Sequence, residues 1–307
     1  MPNISTVANY SDRDSSIAIN SYTTVLRRPR VPHELFATYW RDVHGPLCSR
    51  VPGIGWYVQT HFDREQDAHL WPVIDGVAPF NDYELDGGVE IGFLTAEDHA
   101  LFNEACPILF ADEQNMFAAT VAYALPKGSI TMVDRVPEAS PNGDDGLDRI
   151  HVHFGASRVD ASAFGKRITR LATALAAEPA VLKVRVHLPD VYDNARPAPP
   201  SPAVDHEVTE ERRLVAIVEL AFASPLDRRT FYGSDAFAEA TTGLSAEVAF
   251  ASPFAVSGIY AYVRDKQLTL AGLRGSRPAQ LIEQIGALNQ AAEDVRHLMR
   301  TGTLLDR

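Results

Sequence analysis

Over residues 16–62 the period of the hydrophobic pattern changes twice. The stretch "SIAINSYTTVL" (16–26) is rich in β-branched side chains and reads as a strand. From 32 to 48 the apolar positions Phe36, Trp40, Val43 and Leu47 recur at helical spacing, which predicts a helix with one buried stripe. Pro32 suits its first turn, and Gly45-Pro46 is expected to end or kink it. "IGWYVQTHF" (54–62) and "GVEIGFL" (88–94) read as strands, 96–111 as a helix, and "MFAATVAYAL" (116–125) as a closing strand. The order is β-α-β-β-α-β.

Residues 126–148 hold Pro126, Pro137, Pro141 and the turn cluster "PNGDDG", and read as a linker. The same order then returns: strand 149–156, helix 160–177, strand 180–188, a Pro-rich loop 189–211, strand 214–222, helix 225–240 and strand 256–263. His61 and His187 end corresponding strands, and Glu90 and Glu219 lie inside corresponding third strands. The pattern predicts an α+β chain of two ferredoxin-like βαββαβ repeats, 16–126 and 149–265, joined by a linker at 127–148. A sheet with both helices on one face leaves the other bare, so the two units are expected to cover each other as a dimeric-type α/β barrel within one chain. An extension at 266–307 is expected to carry one amphipathic helix, with Leu281, Ile285, Leu288, Ala292 and Val295 on one side, packing across the domains or in a homodimer.

Composition narrows the partners. The 307 residues are 46% hydrophobic and 22% charged, enough apolar material for two modest cores. A net charge of −12 and a pI near 5.3 argue against a nucleic-acid or anionic-membrane surface, and the densest basic run, "LRRPR" (26–30), is short. No apolar run approaches the ~20 residues of a membrane span. Two cysteines, Cys48 and Cys106, make neither a disulfide framework nor a thiolate metal site, and the N-terminus lacks a signal-peptide pattern. The expected location is cytoplasmic.

Candidate chemistry lies where polar groups interrupt these patterns. Tyr57, Gln59 and His61 alternate along one strand and share a face, an unusual row for a packed sheet because each side chain needs a partner. On the 32–48 helix, Phe36 and Trp40 sit in the stripe, with Tyr39 and His44 on its flanks. His44 can either cap the helix end or present its ring to a pocket. Glu90, in an apolar strand, needs a cation such as Arg41 or a histidine N–H from His44 or His61. His151 and His153 share a strand face and with His187 suggest a metal site or a coupled acid–base group. With no acidic residue at a convincing spacing beside them, no metal is expected. No dinucleotide, P-loop, zinc-protease or nucleophile-elbow motif occurs.

The segment "FATYWRDVHGPLCSRVPGIGWYVQTHF" resembles the EthD-type members of the dimeric α/β-barrel superfamily, through Trp40, Arg41, His44, Gly45, Pro46, Pro52, Gly53, Tyr57, Gln59 and His61. "DGGVEIGF" and "FADEQNMF", with Glu90 and Asp112, resemble later segments of that family. The resemblance spans about 18–125, and the second half lacks the W-R-x-x-H-G-P segment. It implies a small aromatic or phenolic substrate held between sheet and helices, and catalysis without metal or organic cofactor. The resulting expectation is a lyase or isomerase in which His44 or His61 moves a proton on a phenolic or carbonyl substrate. Tyr57, Tyr39 or Gln59 would stabilise the oxyanion, and Phe36, Trp40 and Glu90 would help bind the substrate. The alternatives are a cofactor-free monooxygenase, a polyketide-cyclase-like enzyme and a non-catalytic small-molecule carrier.

Overall fold

A computed structural model describes residues 8–65, 69–80, 82–197 and 200–305. The first half runs β1 (Ile19–Arg27), α1 (His33–Tyr39), α2 (Gly45–Cys48), β2 (Trp56–Phe62), β3 (Gly87–Phe93), α3 (Ala96–Ala105), α4 (Pro107–Met116) and β4 (Phe117–Leu125). After β5 (Ile130–Asp134) and the short β6 (Asn142–Gly143), the second half runs β7 (Asp148–Ala156), α5 (Ala161–Ala177), β8 (Val181–His187), β9 (Val215–Phe222), α6 (Pro225–Tyr232), α7 (Asp235–Thr241) and β10 (Val248–Arg264). Three short helices follow: α8 (Leu270–Arg274), α9 (Ser276–Ile285) and α10 (Glu293–Thr301).

The main strands form one antiparallel sheet in the order β4-β1-β3-β2-β10-β7-β9-β8-β5. Each half therefore has the strand order fourth-first-third-second, the ferredoxin-like arrangement. β10 is 17 residues long; its first part pairs with β7 and its last part with β2, so it belongs to both halves. β4 and β5 do the same in two pieces, pairing with β1 and β8 in turn. Because the two ends of the strand path are successive strands of the chain, the sheet returns on itself.

Several elements depart from the pattern read along the chain. Residues 130–134, expected within a linker, form β5, since the edge of β8 needs a partner for its backbone groups. The helix expected over 96–111 is two, parted where Pro107 opens α4, and that expected over 225–240 breaks at Gly233. The single C-terminal helix is also two, because Gly286 takes a left-handed conformation (φ +69°) that ends α9. Its Leu281, Ile285 and Leu288 are exposed.

The helix over 32–48 departs most informatively. α1 widens into a π turn over Trp40–His44 and continues through Gly45-Pro46 into α2. The wide turn takes back the angular drift of successive i, i+4 steps. The buried stripe consequently becomes Phe36, Trp40, His44 and Cys48, while Val43, expected at its centre, is 49% exposed. Side chains of the sheet reach the carbonyls of this turn. That of Trp40, which accepts the Gly45 N–H, also accepts Gln59 Nε2 (3.1 Å), and that of Arg41 accepts the Tyr262 hydroxyl (2.7 Å). A β-carbon on Gly45 would lie 2.4 Å from the Tyr262 ring, so glycine is needed there.

The halves also exchange long connections. Residues 63–86, between β2 and β3, carry Trp71 edge-on against Phe154, Tyr232 and Phe237, in the core between α5 and the second half's sheet. In return, the connection between β8 and β9 crosses to the first half. There Asp205 exchanges backbone hydrogen bonds with Ala118 (2.8 Å) and Thr120 (2.9 Å), and Val204 joins the first core.

Candidate active site

The first half encloses a cavity of about 600 Å³ between its sheet and α1–α4. Strand alternation places Ile19, Thr23, Val89, Ile91 and Phe93 on its floor, because odd positions of β1 and β3 face the helices. Trp40, Phe102, Leu109, Phe110 and Phe117 supply apolar walls, and Pro200 of the second half's connection closes one side. The cavity lies within the size range that buries a small organic ligand.

His44 lines this cavity, brought there by the π turn. Its Nδ1 lies 2.8 Å from Asp112 Oδ2 on α4. A carboxylate only accepts, so Nδ1 carries the proton, and Nε2 is left without a protein partner among the described residues. Asp112 Oδ1 also accepts the Tyr39 hydroxyl (2.5 Å) and Asn115 Nδ2 (3.2 Å). These bonds, that of His44 foremost, hold Asp112 ionised with a pKa of about 2. His44 is thus not a helix cap; it is half of an oriented histidine–carboxylate pair.

The next residue on α4 has the opposite environment. Glu113 lines the cavity, and burial pushes its pKa up, against the Ser201 hydroxyl that donates to Oε2 (2.5 Å) and the nearby His44 and His206. Ser201 is itself fixed by His206, whose Nδ1 donates to the Thr120 carbonyl (2.7 Å) while Nε2 accepts the Ser201 amide (3.0 Å). His99 also lines the cavity, stacked on Phe93 with centroids 4.6 Å apart, its pKa lowered by burial. Cys48 and Cys106 sit in the wall, and burial raises both thiols. Among the described residues, no lysine or arginine lines the cavity.

Tyr57, Gln59 and His61 do share the helix-side face of β2, but only Tyr57 lines the cavity. Gln59 Nε2 donates to the Tyr57 hydroxyl (2.7 Å) and to the Trp40 carbonyl, while Gln59 Oε1 lies 3.1 Å from His61 Nε2. The His61 ring stacks on Trp40, with centroids 4.2 Å and planes 16° apart, and burial lowers its pKa well below the usual range. Gln59, His61 and Phe36 therefore form a layer behind Trp40, which lines the cavity itself. His44 and His61 do not meet. Tyr39 reaches the site through Asp112 instead of touching the cavity.

Glu90 points to the opposite face of the sheet. Its partner is neither Arg41 nor a first-half histidine but Arg185 of β8, which donates from Nε (3.1 and 3.2 Å) and Nη2; Asn20 also donates to it. Arg41 pairs with the adjacent Asp42 instead. Glu219 lies across from His151 on β7 and accepts His187 Nε2 (2.9 Å), so an acidic residue does join the second-half histidines. His151 Nδ1 and His153 Nε2 meet the Tyr22 hydroxyl at 2.8 and 3.3 Å, and Tyr83 meets His153 Nδ1 at 2.8 Å. Ligand atoms of Glu90, His187 and Glu219 lie within 4.8 Å of one another, but Arg185 and Asn20 occupy Glu90. His61 and His187, equivalent by position along the chain, face opposite sides of the sheet. Glu90 and Glu219 both face the interior between the halves.

No family model matches the chain, and no curated protein matches its sequence. Among solved structures it is similar to a candidate monooxygenase of Fusobacterium nucleatum subsp. nucleatum, at 7% identity and a TM-score of 0.51, covering 82% of this chain and 96% of that one. A candidate monooxygenase of Lactobacillus acidophilus follows at 10% identity, TM-score 0.45 and coverage of 82% and 98%. An anthrone oxidase-like protein matches at 9% identity, TM-score 0.46 and coverage of 83% and 96%. The first likeness gives the fold: a ferredoxin-like α+β barrel.

Proposed function

We propose that the protein is a cofactor-independent enzyme of the lyase or isomerase type, acting on a small aromatic phenol or carbonyl compound in the first-half cavity. The observation that carries this reading is His44. Its Nδ1–H is fixed on an ionised Asp112, and among the described residues its Nε2 has no protein partner at the wall of a largely apolar cavity. An imidazole oriented this way withdraws a proton with Nε2 and returns it to a neighbouring atom, while Asp112 stabilises the imidazolium between the two steps. Tyr57, kept protonated by burial, is a neutral donor for the developing oxygen anion, and Trp40 offers a ring face to the substrate. His61, stacked behind Trp40, acts as support. On this reading the two halves derive from one duplicated EthD-like unit, of which the first keeps the working pocket.

A cofactor-free monooxygenase is the second reading, favoured by the name of the Fusobacterium neighbour. An enolate or phenolate made by the same His44 is the species that dioxygen would attack, so both readings share the proton-transfer step. Fold alone does not choose between them.

The test uses 2-tetralone, a neutral bicyclic ketone with acidic protons beside its carbonyl. Exchange of those protons for deuterium, followed by NMR, is expected to be accelerated by the native protein. His44→Ala is expected to lower the rate about 10²-fold or more with the circular dichroism unchanged. Binding without exchange would favour a carrier, and dioxygen consumption during exchange would favour the monooxygenase.

A further inference from the structure

We infer that Glu113 presents an uncharged carboxyl to the cavity as hydrogen-bond donor to the substrate's carbonyl oxygen, and that the site thereby selects enolisable ketones carrying no charge of their own. The inference rests on the proposed function and adds a second proton-bearing residue and a substrate class to it.

Three observations converge. Glu113 and His44 line the same cavity from α4 and the π turn, so one ligand can meet both. Among the described residues, the Ser201 hydroxyl is the hydrogen-bond donor to Glu113, on Oε2, which leaves Oε1 without a protein partner. The lining has no lysine or arginine, and the basic groups near Glu113 are the histidines His44 and His206, so neither an ionised Glu113 nor a carboxylated or phosphorylated ligand finds a permanent counter-charge there. Burial raises the Glu113 pKa, in keeping with this, while its neighbour Asp112 is held ionised by His44. Two adjacent carboxyls whose pKa values are pushed apart by their environments mark separate functions.

The proton count balances. His44 Nε2 takes a proton from the carbon beside the carbonyl, and the C–H pair becomes the new C=C bond. The carbonyl π pair takes the Glu113 proton, giving the enol, an imidazolium and a carboxylate. Reprotonation at carbon by His44, with the enol proton returned to Glu113, restores both groups. The position reprotonated sets whether the net reaction is exchange or isomerisation.

The test is independent of turnover. Infrared difference spectra of the native protein against Glu113→Gln at neutral pH are expected to contain a protonated-carboxyl C=O band, retained in Ser201→Ala. Titration with 2-tetralone and 2-naphthoate is expected to favour the neutral ketone by about tenfold or more, because the anion would be buried unpaired. The stretch of 13C=O-labelled 2-tetralone should shift to lower frequency on binding, and less so in Glu113→Gln. Absence of the carboxyl band, equal affinity for the two ligands, or a carbonyl shift unchanged in Glu113→Gln would each overturn the inference. Failure of deuterium exchange with these three results intact would overturn the catalytic reading alone.

Discussion

Asp112 and Glu113 are neighbours in the chain, and their pKa values are pushed in opposite directions. Asp112 accepts hydrogen bonds from His44, Tyr39 and Asn115, whereas Glu113 is buried with Ser201 as its donor among the described residues. Replacing Asp112 by Asn is expected to lower deuterium exchange about 10²-fold or more, because the amide no longer fixes the proton on Nδ1 of His44. Stability should also report the pair. The folded pKa of Asp112, about 2, lies below its ordinary 3.8, so its contribution is fully present above 3.8 and is lost as pH falls through about 2. Denaturant titrations should therefore find Asp112→Asn less stable than the native protein at neutral pH, with the gap closing on acidification across that window. The chain alone singled out Asp112 in "FADEQNMF" and not Glu113; that Asp112 is the one to meet His44 depends on how α4 is rotated against the π turn.

At the scale of elements, the π turn decides what the 32–48 helix presents. Regular helical geometry puts Val43 at the buried centre and His44 on a flank; the wider turn exposes Val43 and turns His44 inward. Sheet side chains hold it: Gln59 adds a bond to the Trp40 carbonyl, which already accepts the Gly45 N–H, and Tyr262 donates to the Arg41 carbonyl. This accounts for two members of the polar row on β2: Gln59 holds the turn, and His61 stacks behind Trp40. Tyr262→Phe should leave the Arg41 carbonyl buried and unpaired, at a cost of about 1–3 kcal/mol in equilibrium unfolding. The exchange rate should fall with it, since the turn positions His44. A variant as stable and active as the native protein would remove the turn from this account.

Over the whole molecule, the two halves share a strand order but differ in how the space between sheet and helices is lined. In the second half Phe164, Ile168, Leu171 and, from the first half, Trp71 pack the core, and a cleft of about 570 Å³ remains at the start of α5, beside Lys127, Lys166, Val186 and Leu188. The first half receives Pro200 and Ser201 instead, which close its cavity without filling it. Trp71→Ala is expected to cost about 3–5 kcal/mol in unfolding free energy. It should also open a new apolar space detectable by xenon binding in a crystal. No gain in exchange activity is expected, because the acid–base residues lie in the other half.

The period of the pattern determined the order of strands and helices twice over, because alternation and helical spacing are local properties of the chain. The same alternation put Tyr57, Gln59 and His61 on one face; that Glu90 lies on the other follows from the register of β2 with β3, which sets it opposite Val58. The tertiary structure decided which groups meet. Glu90 pairs with Arg185, 95 residues away, and Ser201 reaches Glu113 across 88. It also decided that His61 stays behind Trp40, and that Trp71 packs into the second half's core while Pro200 borders the first half's cavity. Those outcomes depend on the rotation of packed elements and on connections exchanged between halves, which hydrophobic spacing along one segment does not encode.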